Sequence, residues 1–258
     1  MGKNFKTIDT AVIRFAGDSG DGMQLTGGRF TETTAIVGND LSTLPDFPAE
    51  IRAPAGSLAG VSAFQLKFSS KDIHTPGDKP DVLVAMNPAA LKVHQKDLIP
   101  GGTIIANTDA FSKKNLNFAG YDTNPLEDGS LDDYFTVIPI DMNKMVKAAC
   151  DDLDLNGKLV LRTKNFFALG VLFYMYDRPM DATEQWLKKK FAGKDDIIEA
   201  NKRAMNTGYN YAHTTELFTT RFKVEKASLP KGTYRNMNGN YATSLGLLAA
   251  SEKSGLEL

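Results

Sequence analysis

The chain has 258 residues, 42% hydrophobic and 24% charged, with a formal net charge of −1. That length carries a sizeable core in roughly one or two domains, and the charge balance leaves no footprint for nucleic acid or an anionic membrane surface. The single cysteine, Cys150, excludes an internal disulfide, a cysteine-rich zinc site and an iron–sulfur cluster held by this chain alone, and a reducing cytoplasmic setting fits it. The first residues, Met1-Gly2-Lys3-Asn4-Phe5-Lys6, lack the apolar core of a signal peptide, and no run is long enough to cross a bilayer.

Thr10 to Gly28 reads as strand, glycine turn and helix. Ala11 to Ala16 is a short apolar run, a buried strand. Gly17, Gly20 and Gly22 follow in the order G-x-x-G-x-G. Met23-Gln24-Leu25-Thr26 opens a helix that continues over Arg29 to Val37 and stops at Gly38-Asn39-Asp40. Such an elbow offers free amides and a helix dipole to an anion. It also reads as a plain tight turn with an Asp or Ser cap, and both readings stand. The spacing differs from the dinucleotide fingerprint: Ser19 takes a glycine position, and Asp18 and Asp21 oppose a pyrophosphate. Gly20-Asp21-Gly22 opens like a thiamine diphosphate motif, but no Asn lies at a suitable distance to complete it.

The remaining elements follow in chain order. Ser42 to Ser57 holds Pro45, Pro48 and Pro54 and reads as an extended surface loop carrying Glu50 and Arg52. Val61 to Ser69 alternates Phe64, Leu66 and Phe68 with Gln65, Lys67 and Ser69, a half-exposed strand near an edge. Asp81-Val-Leu-Val-Ala-Met86 is a central parallel strand, ending at Asn87-Pro88 and a helix over Ala89 to Leu98. Thr103 to Asn107 is another buried strand, 118–134 a long loop, and Phe135 to Ile140 a strand whose Pro139 places it at an edge. Asp141 caps a helix over Met142 to Asp151. Asn165 to Tyr176 is apolar nearly all round and reads as a buried helix. Asp181-Ala-Thr-Glu184 is a capping box that starts a helix to Phe191. Strands alternating with helices predict an α/β fold: an open, mostly parallel sheet with helices on both faces.

The organisation reads as a first domain over 1–194, then a polar helical segment of one or two surface helices and a linker over 195–233. Residues 234–258 open a second domain, with a small-residue helix over Ala242 to Ala250. Several side chains carry two readings. Arg52 has the planar fork that suits a carboxylate or a phosphate, and with Glu50 it also reads as a solvated pair worth little. Asn87 faces the crevice beyond a central strand or caps the helix after it. Asn165 reads as an N-cap. His74, His94 and His213 have no ligand spacing, Cys150 reads as a small core residue, and Lys188-Lys189-Lys190 reads as a solvated helix end.

Taken together, Gly17-Asp18-Ser19-Gly20-Asp21-Gly22, Pro48-Ala49-Glu50-Ile51-Arg52, Asp81 to Asn87 and Lys164 to Gly170 resemble one family, the 2-oxoacid:ferredoxin oxidoreductases. The first domain is similar to their Rossmann-like gamma domain. Asn238-Gly239-Asn240-Tyr241-Ala242 through Ala249-Ala250 resembles the start of the pyrimidine-binding domain. That order resembles the alpha subunit of the 2-oxoglutarate enzymes. The resemblance implies a complete enzyme that oxidatively decarboxylates a 2-oxoacid, passes electrons through an iron–sulfur cluster to ferredoxin and leaves an acyl-coenzyme A. Thiamine diphosphate with Mg2+ supplies the carbanion chemistry. It implies a beta subunit as partner, which supplies the cluster, and a first domain that is a structural and coenzyme A-facing part; by their own chemistry the glycine loop is then the candidate contact to a phosphate of coenzyme A, with Glu50, Arg52 and Asn87 as further candidates. The residues leave two other functions open: a non-catalytic nucleotide-binding or assembly module, and an NAD-dependent dehydrogenase domain.

Overall fold

The computed structural model describes residues 5–50, 53–235 and 237–255. They form two compact units, one ending at Ser228 and one running from Leu229.

In the first unit the strands are β1 (Phe5–Thr7), β2 (Thr10–Asp18), β3 (Asp40–Asp46), β4 (Val61–Ser69), β5 (Val82–Ala85), β6 (Thr103–Asn107), β7 (Thr136–Ile140) and β8 (Arg221–Lys223). Its helices are α1 (Met23–Val37), α2 (Pro88–His94), α3 (Lys113–Phe118), α4 (Met142–Ala149), α5 (Gly157–Arg162), α6 (Lys164–Met175), α7 (Asp181–Lys190) and α8 (Asp195–Thr214). Six strands make one sheet in the order β3-β4-β2-β5-β6-β7. β2, β5, β6 and β7 run parallel, while β4 is antiparallel to both β2 and β3. β1 and β8 pair as a separate parallel ribbon. The expected α/β architecture, a mostly parallel sheet flanked by helices, is what the chain adopts.

Strand alternation sends side chains into two cores. Ile13, Phe15, Phe64, Leu66, Phe68, Val82 and Val84 meet the apolar α6 on one face, whose Phe166, Phe167, Leu169 and Phe173 are buried. Ala16, Leu83, Ala85, Ile104 and Ala106 meet Ala89, Ala90 and Leu91 of α2 on the other. Both faces are therefore covered, as parallel sheets require.

That double cover corrects two sequence expectations. β4 is not half-exposed: only Lys67 is partly accessible, and Gln65 is 2% exposed. Gln65 is tolerated because its carboxamide is satisfied, accepting from the Arg14 guanidinium and donating to the carbonyls of Pro76 and Gly77. The edge next to β4 is β3, which runs into the stretch expected to be a loop. It carries Pro45, which an edge strand accepts because it need not donate on its free side.

Two expected caps are also replaced. Asp181 lies inside α7, Met180 stands at the N-cap, and no side-chain cap bond forms, so no capping box exists. The Asp141 carboxylate accepts from the Thr108 hydroxyl instead of capping α4. Asp109 does that work, accepting from the backbone N–H of Asn143 (2.8 Å) and Lys144 (3.1 Å).

The polar segment from residue 195 forms one helix, α8, that packs on α6 rather than lying loose on the surface. Ala200, Ala204, Met205, Gly208 and Ala212 are its buried stripe. A Cβ at Gly170 would overlap the Met205 carbonyl oxygen, and one at Gly208 the Phe167 carbonyl oxygen. The two backbones thus touch through glycine. Residues 223–227, expected in the linker, dock on the end of α1: Asn39 Nδ2 donates to the Glu225 carbonyl (2.6 Å) and Ala227 N–H to that of Gly38 (2.9 Å). The first compact unit runs through this segment to Ser228.

The second unit contains α9 (Gly239–Ser254), capped by the Asn238 side chain, which accepts from the Tyr241 N–H (2.9 Å), and ended by Gly255 at φ 71°. Among the described residues no helix is long and apolar enough to cross a membrane.

Candidate functional site

β2 delivers Gly17 and Asp18 to the carboxyl edge of the sheet, and α1 starts five residues later. The three loop glycines are there for different reasons. A Cβ at Gly17 would lie 2.8 Å from Asp21 Oδ2 and 3.0 Å from Met86 Cβ. Gly20 faces open space. Gly22 takes the left-handed conformation (φ 77°) at the N-cap of α1, and a Cβ there would overlap the Asn165 carboxamide. Glycine has no side chain to cap with, so the first-turn amides of α1 carry no side-chain cap. An uncapped helix start of this kind favours an anion.

The bend also carries its own carboxylates. Asp21 folds back over the loop: Oδ2 accepts from the Asp18 N–H (3.0 Å) and Oδ1 lies 2.7 Å from Lys164 Nζ, at the start of α6. Asp18 Oδ2 accepts from the Gly56 N–H (3.0 Å), which ties the 53–60 segment to the bend. Its Oδ1 is buried without a well-formed hydrogen bond. Burial pushes the Asp18 carboxyl above its usual range and the charge of Asp21 adds to this, while the Gly56 amide, Asn87 and Lys164 oppose it.

Asn87 takes both of its roles. Its Oδ1 accepts from the Ala90 N–H (2.8 Å), capping α2, and its carboxamide lies beside Asp18 and favours the charged carboxylate. β2 and β5 are neighbours, yet α1 packs on one face and α2 on the other. The Asp18–Asn87 crevice is therefore the topological switch point, where open α/β sheets bind ligands.

Two cavities flank the loop. The first, about 480 Å³, has an apolar wall of Leu25, Leu159, Phe166, Phe191 and Ile197, with Arg162, Asn165, Lys194 and Asn201 supplying polar groups. The second, about 370 Å³, lies between Asp18, Ser19 and Asp21 on one side and Lys158, Arg162 and Lys164 on another, with Ala53, Pro54 and Ala55 closing a third. Gly20 and Arg162 line both. Chemically, the pair can take an elongated ligand with anionic groups at the loop and a flatter apolar part beside Phe166.

Gly17, Asp18, Ser19, Gly20, Asp21, Gly22 and Asn87 are thus brought together. Glu50 is not: it is exposed, lines neither cavity, and its N–H donates to the Ala59 carbonyl. Arg52 lies outside the described residues. Asn165 is not an N-cap but the second residue of α6, buried, its Oδ1 accepting from the Phe166 N–H (2.8 Å). Sequence reasoning passed over Lys158, Arg162, Lys194 and Asn201, and took Lys164 only as part of the stretch that carries the family resemblance. The one signal was the four-residue spacing of Lys158 and Arg162, which puts both on one helical face.

The histidines add no acid–base pair at the loop. His94 sits in a buried network with Arg14, Gln65 and Asp97. Its Nδ1 lies 3.0 Å from Arg14 Nη1, and burial together with that guanidinium lowers its pKa to about 4. Cys150 is buried, and one thiolate does not fit an iron–sulfur cluster. Among the described residues no three His, Cys, Asp or Glu side chains converge to hold a metal ion.

Known proteins resemble this chain in sequence and in fold. The profile of the pyruvate ferredoxin/flavodoxin oxidoreductase family matches residues 12–211. The chain is 51% identical over 249 residues to the 2-oxoglutarate oxidoreductase subunit KorA of Mycobacterium tuberculosis, spanning 96% of this chain and 38% of that protein. It superposes with a TM-score of 0.71 and 26% identity on the 2-oxoglutarate:ferredoxin oxidoreductase of Magnetococcus marinus, solved with 2-oxoglutarate, coenzyme A and succinyl-CoA bound, covering 93% of this chain and 37% of that one. A keto/oxoacid ferredoxin oxidoreductase gamma subunit from Geobacter sulfurreducens shares the fold at 18% identity and a TM-score of 0.53, covering 79% of this chain and 99% of that one. The chain thus spans little more than a third of the length of the two 2-oxoglutarate relatives.

Proposed function

The chain belongs to the pyruvate ferredoxin/flavodoxin oxidoreductase family, and from that premise we propose that it is part of the alpha subunit of a 2-oxoglutarate:ferredoxin oxidoreductase. The observation that carries this reading is the 51% identity to KorA along 96% of the chain. In this reading the first domain, residues 1–194 as the sequence bounds it, is the gamma-type domain. Residues 234–258 begin the domain that receives the pyrimidine ring of thiamine diphosphate. The enzyme oxidises 2-oxoglutarate with loss of carbon dioxide, transfers the acyl group to coenzyme A and sends the electrons to ferredoxin. Thiamine diphosphate supplies the carbanion chemistry, and it, Mg2+ and the iron–sulfur cluster are held elsewhere in the complete cytoplasmic enzyme, the cluster by the beta subunit.

The role of this chain's own residues is to bind and orient coenzyme A. The first-turn amides of α1 and the cations Lys158, Arg162 and Lys164 hold its phosphates at the glycine loop. Phe166 and Leu25 wall the apolar cavity beside them, where Asn165 and Asn201 offer amides to the edge of a base. The meeting of the two cavities at Gly20 and Arg162 supports this assignment.

The test is an assay of the enzyme assembled with its partner chains. Coenzyme A-dependent reduction of a viologen dye is expected with 2-oxoglutarate, and Arg162→Ala is expected to raise the KM for coenzyme A while changing kcat little. An assembled enzyme inactive with every 2-oxoacid tried would overturn the reading.

A further inference from the structure

On the reading that the glycine loop is an anion site, we propose that the Asp21 carboxylate is the loop's own stand-in for the ligand's phosphate, and that a phosphate enters by displacing it from Lys164 and the Asp18 amide. The geometry that carries this is the pair of donors Asp21 uses. One is a backbone N–H at the bend (3.0 Å), the other an ammonium at the start of α6 (2.7 Å). An amide and a lysine are what a phosphate at a strand–glycine–helix elbow recruits.

The carboxylate is seated rather than dangling. Its side chain is 14% exposed and that of Lys164 18%, and its Oδ2 packs over Gly17, where a Cβ would come within 2.8 Å. Gly17 therefore serves the internal anion, not the ligand directly. Both partners of the ion pair line the second cavity, so the exchange happens at an open cleft and the displaced carboxylate has water to move into.

The exchange sets which anions are admitted. Among the described residues, the charged groups that line the second cavity with Lys164 are Asp21 and Asp18 from the loop and Lys158 and Arg162 from α5. A lone carboxylate arriving from solution gains no more from Lys164 than Asp21 already does, and Asp18 repels it. A pyrophosphate reaches Lys164, Arg162 and Lys158 together and gains what a single carboxylate does not. The stand-in thus selects multiply charged phosphoryl ligands over the monocarboxylates and dicarboxylates that a 2-oxoacid enzyme meets as substrates.

The experiment is calorimetric titration of the assembled enzyme with coenzyme A, inorganic pyrophosphate and acetate, in wild type and in Asp21→Asn and Asp21→Ser. Both substitutions are expected to tighten coenzyme A and pyrophosphate by roughly tenfold, the scale of one charge-assisted hydrogen bond, and to let acetate bind. Circular dichroism and thermal melting report whether each variant folds, and two dissimilar side chains guard against one that does not. Unchanged or weaker binding in folded variants would overturn the inference while leaving the anion site standing. A wild type that binds neither coenzyme A nor pyrophosphate would instead remove the functional reading beneath it.

Discussion

Gly22 and Asn165 meet so closely that a Cβ on the glycine would overlap the carboxamide nitrogen. The glycine loop and the first turn of α6 are therefore one packed unit, although they lie far apart in the chain. The Asp21–Lys164 ion pair closes the same junction one residue away on each side. Gly22→Ala should strain a left-handed backbone and push Asn165 out of the first cavity. We expect a stability loss of about 1–3 kcal/mol in urea unfolding, together with weaker coenzyme A binding by calorimetry. A variant with unchanged coenzyme A affinity would show that the junction does not shape the site.

The α6–α8 crossing gives a purely structural prediction. A methyl at Gly170 or Gly208 would run into backbone carbonyl oxygens, which cannot rotate away. The two helices must separate, so either alanine variant should lose about 3 kcal/mol or more in urea unfolding. Gly20→Ala is the contrast, since its Cβ would meet nothing within 4 Å. It should leave stability within about 0.5 kcal/mol of wild type.

His94 makes stability depend on pH. Its folded pKa of about 4 lies below the ordinary 6.5, because burial and Arg14 disfavour the charged ring. The unfolded chain therefore takes up the proton first, and stability falls as pH drops from 6.5 towards 4. The full loss is on the order of 3 kcal/mol at most. Chemical denaturation at several pH values should show this slope in wild type and lose it in His94→Leu, where Arg14 keeps Asp97 and Gln65. The same slope in both proteins would assign the dependence to other groups.

Asn87 joins α2 to the bend, so Asn87→Ala should act twice. Loss of the cap at Ala90 should cost about 1 kcal/mol. The Asp18 carboxyl, deprived of the neighbouring carboxamide that favours its charged form, should titrate at still higher pH. Carboxyl-resolved NMR of the variant reads the second effect directly, and an unmoved Asp18 would contradict it.

Much of the scaffold is legible in the sequence. The apolar run of β2, the three glycines, the all-buried β5 with Asn87-Pro88 after it, and the apolar circumference of α6 each announce their element. What they announce is local: hydrophobic period, turn chemistry and capping belong to residues adjacent in the chain. The misread elements are those whose environment is not local. Gln65 reads as solvated because its alternation with apolar neighbours is genuine, and Arg14 on another strand together with the Pro76 and Gly77 carbonyls makes its burial affordable. α8 looked like a surface segment because its buried stripe is Ala and Gly, which carries little hydrophobic signal yet allows backbone contact with α6.

The sequence by itself determined that a glycine bend stands at the end of a buried strand, and which residue types sit in it. Tertiary structure alone decided what surrounds that bend. Lys158, Arg162 and Lys164 become its cations, Asn165 its packing partner and Asp21 an anion folded into its own loop, because α5 and α6 are brought back over β2 by the buried face of α6. Charge and amide groups act through space over a few ångströms, whereas sequence patterns report only on neighbours in the chain, so the bend was readable and the groups that surround it were not.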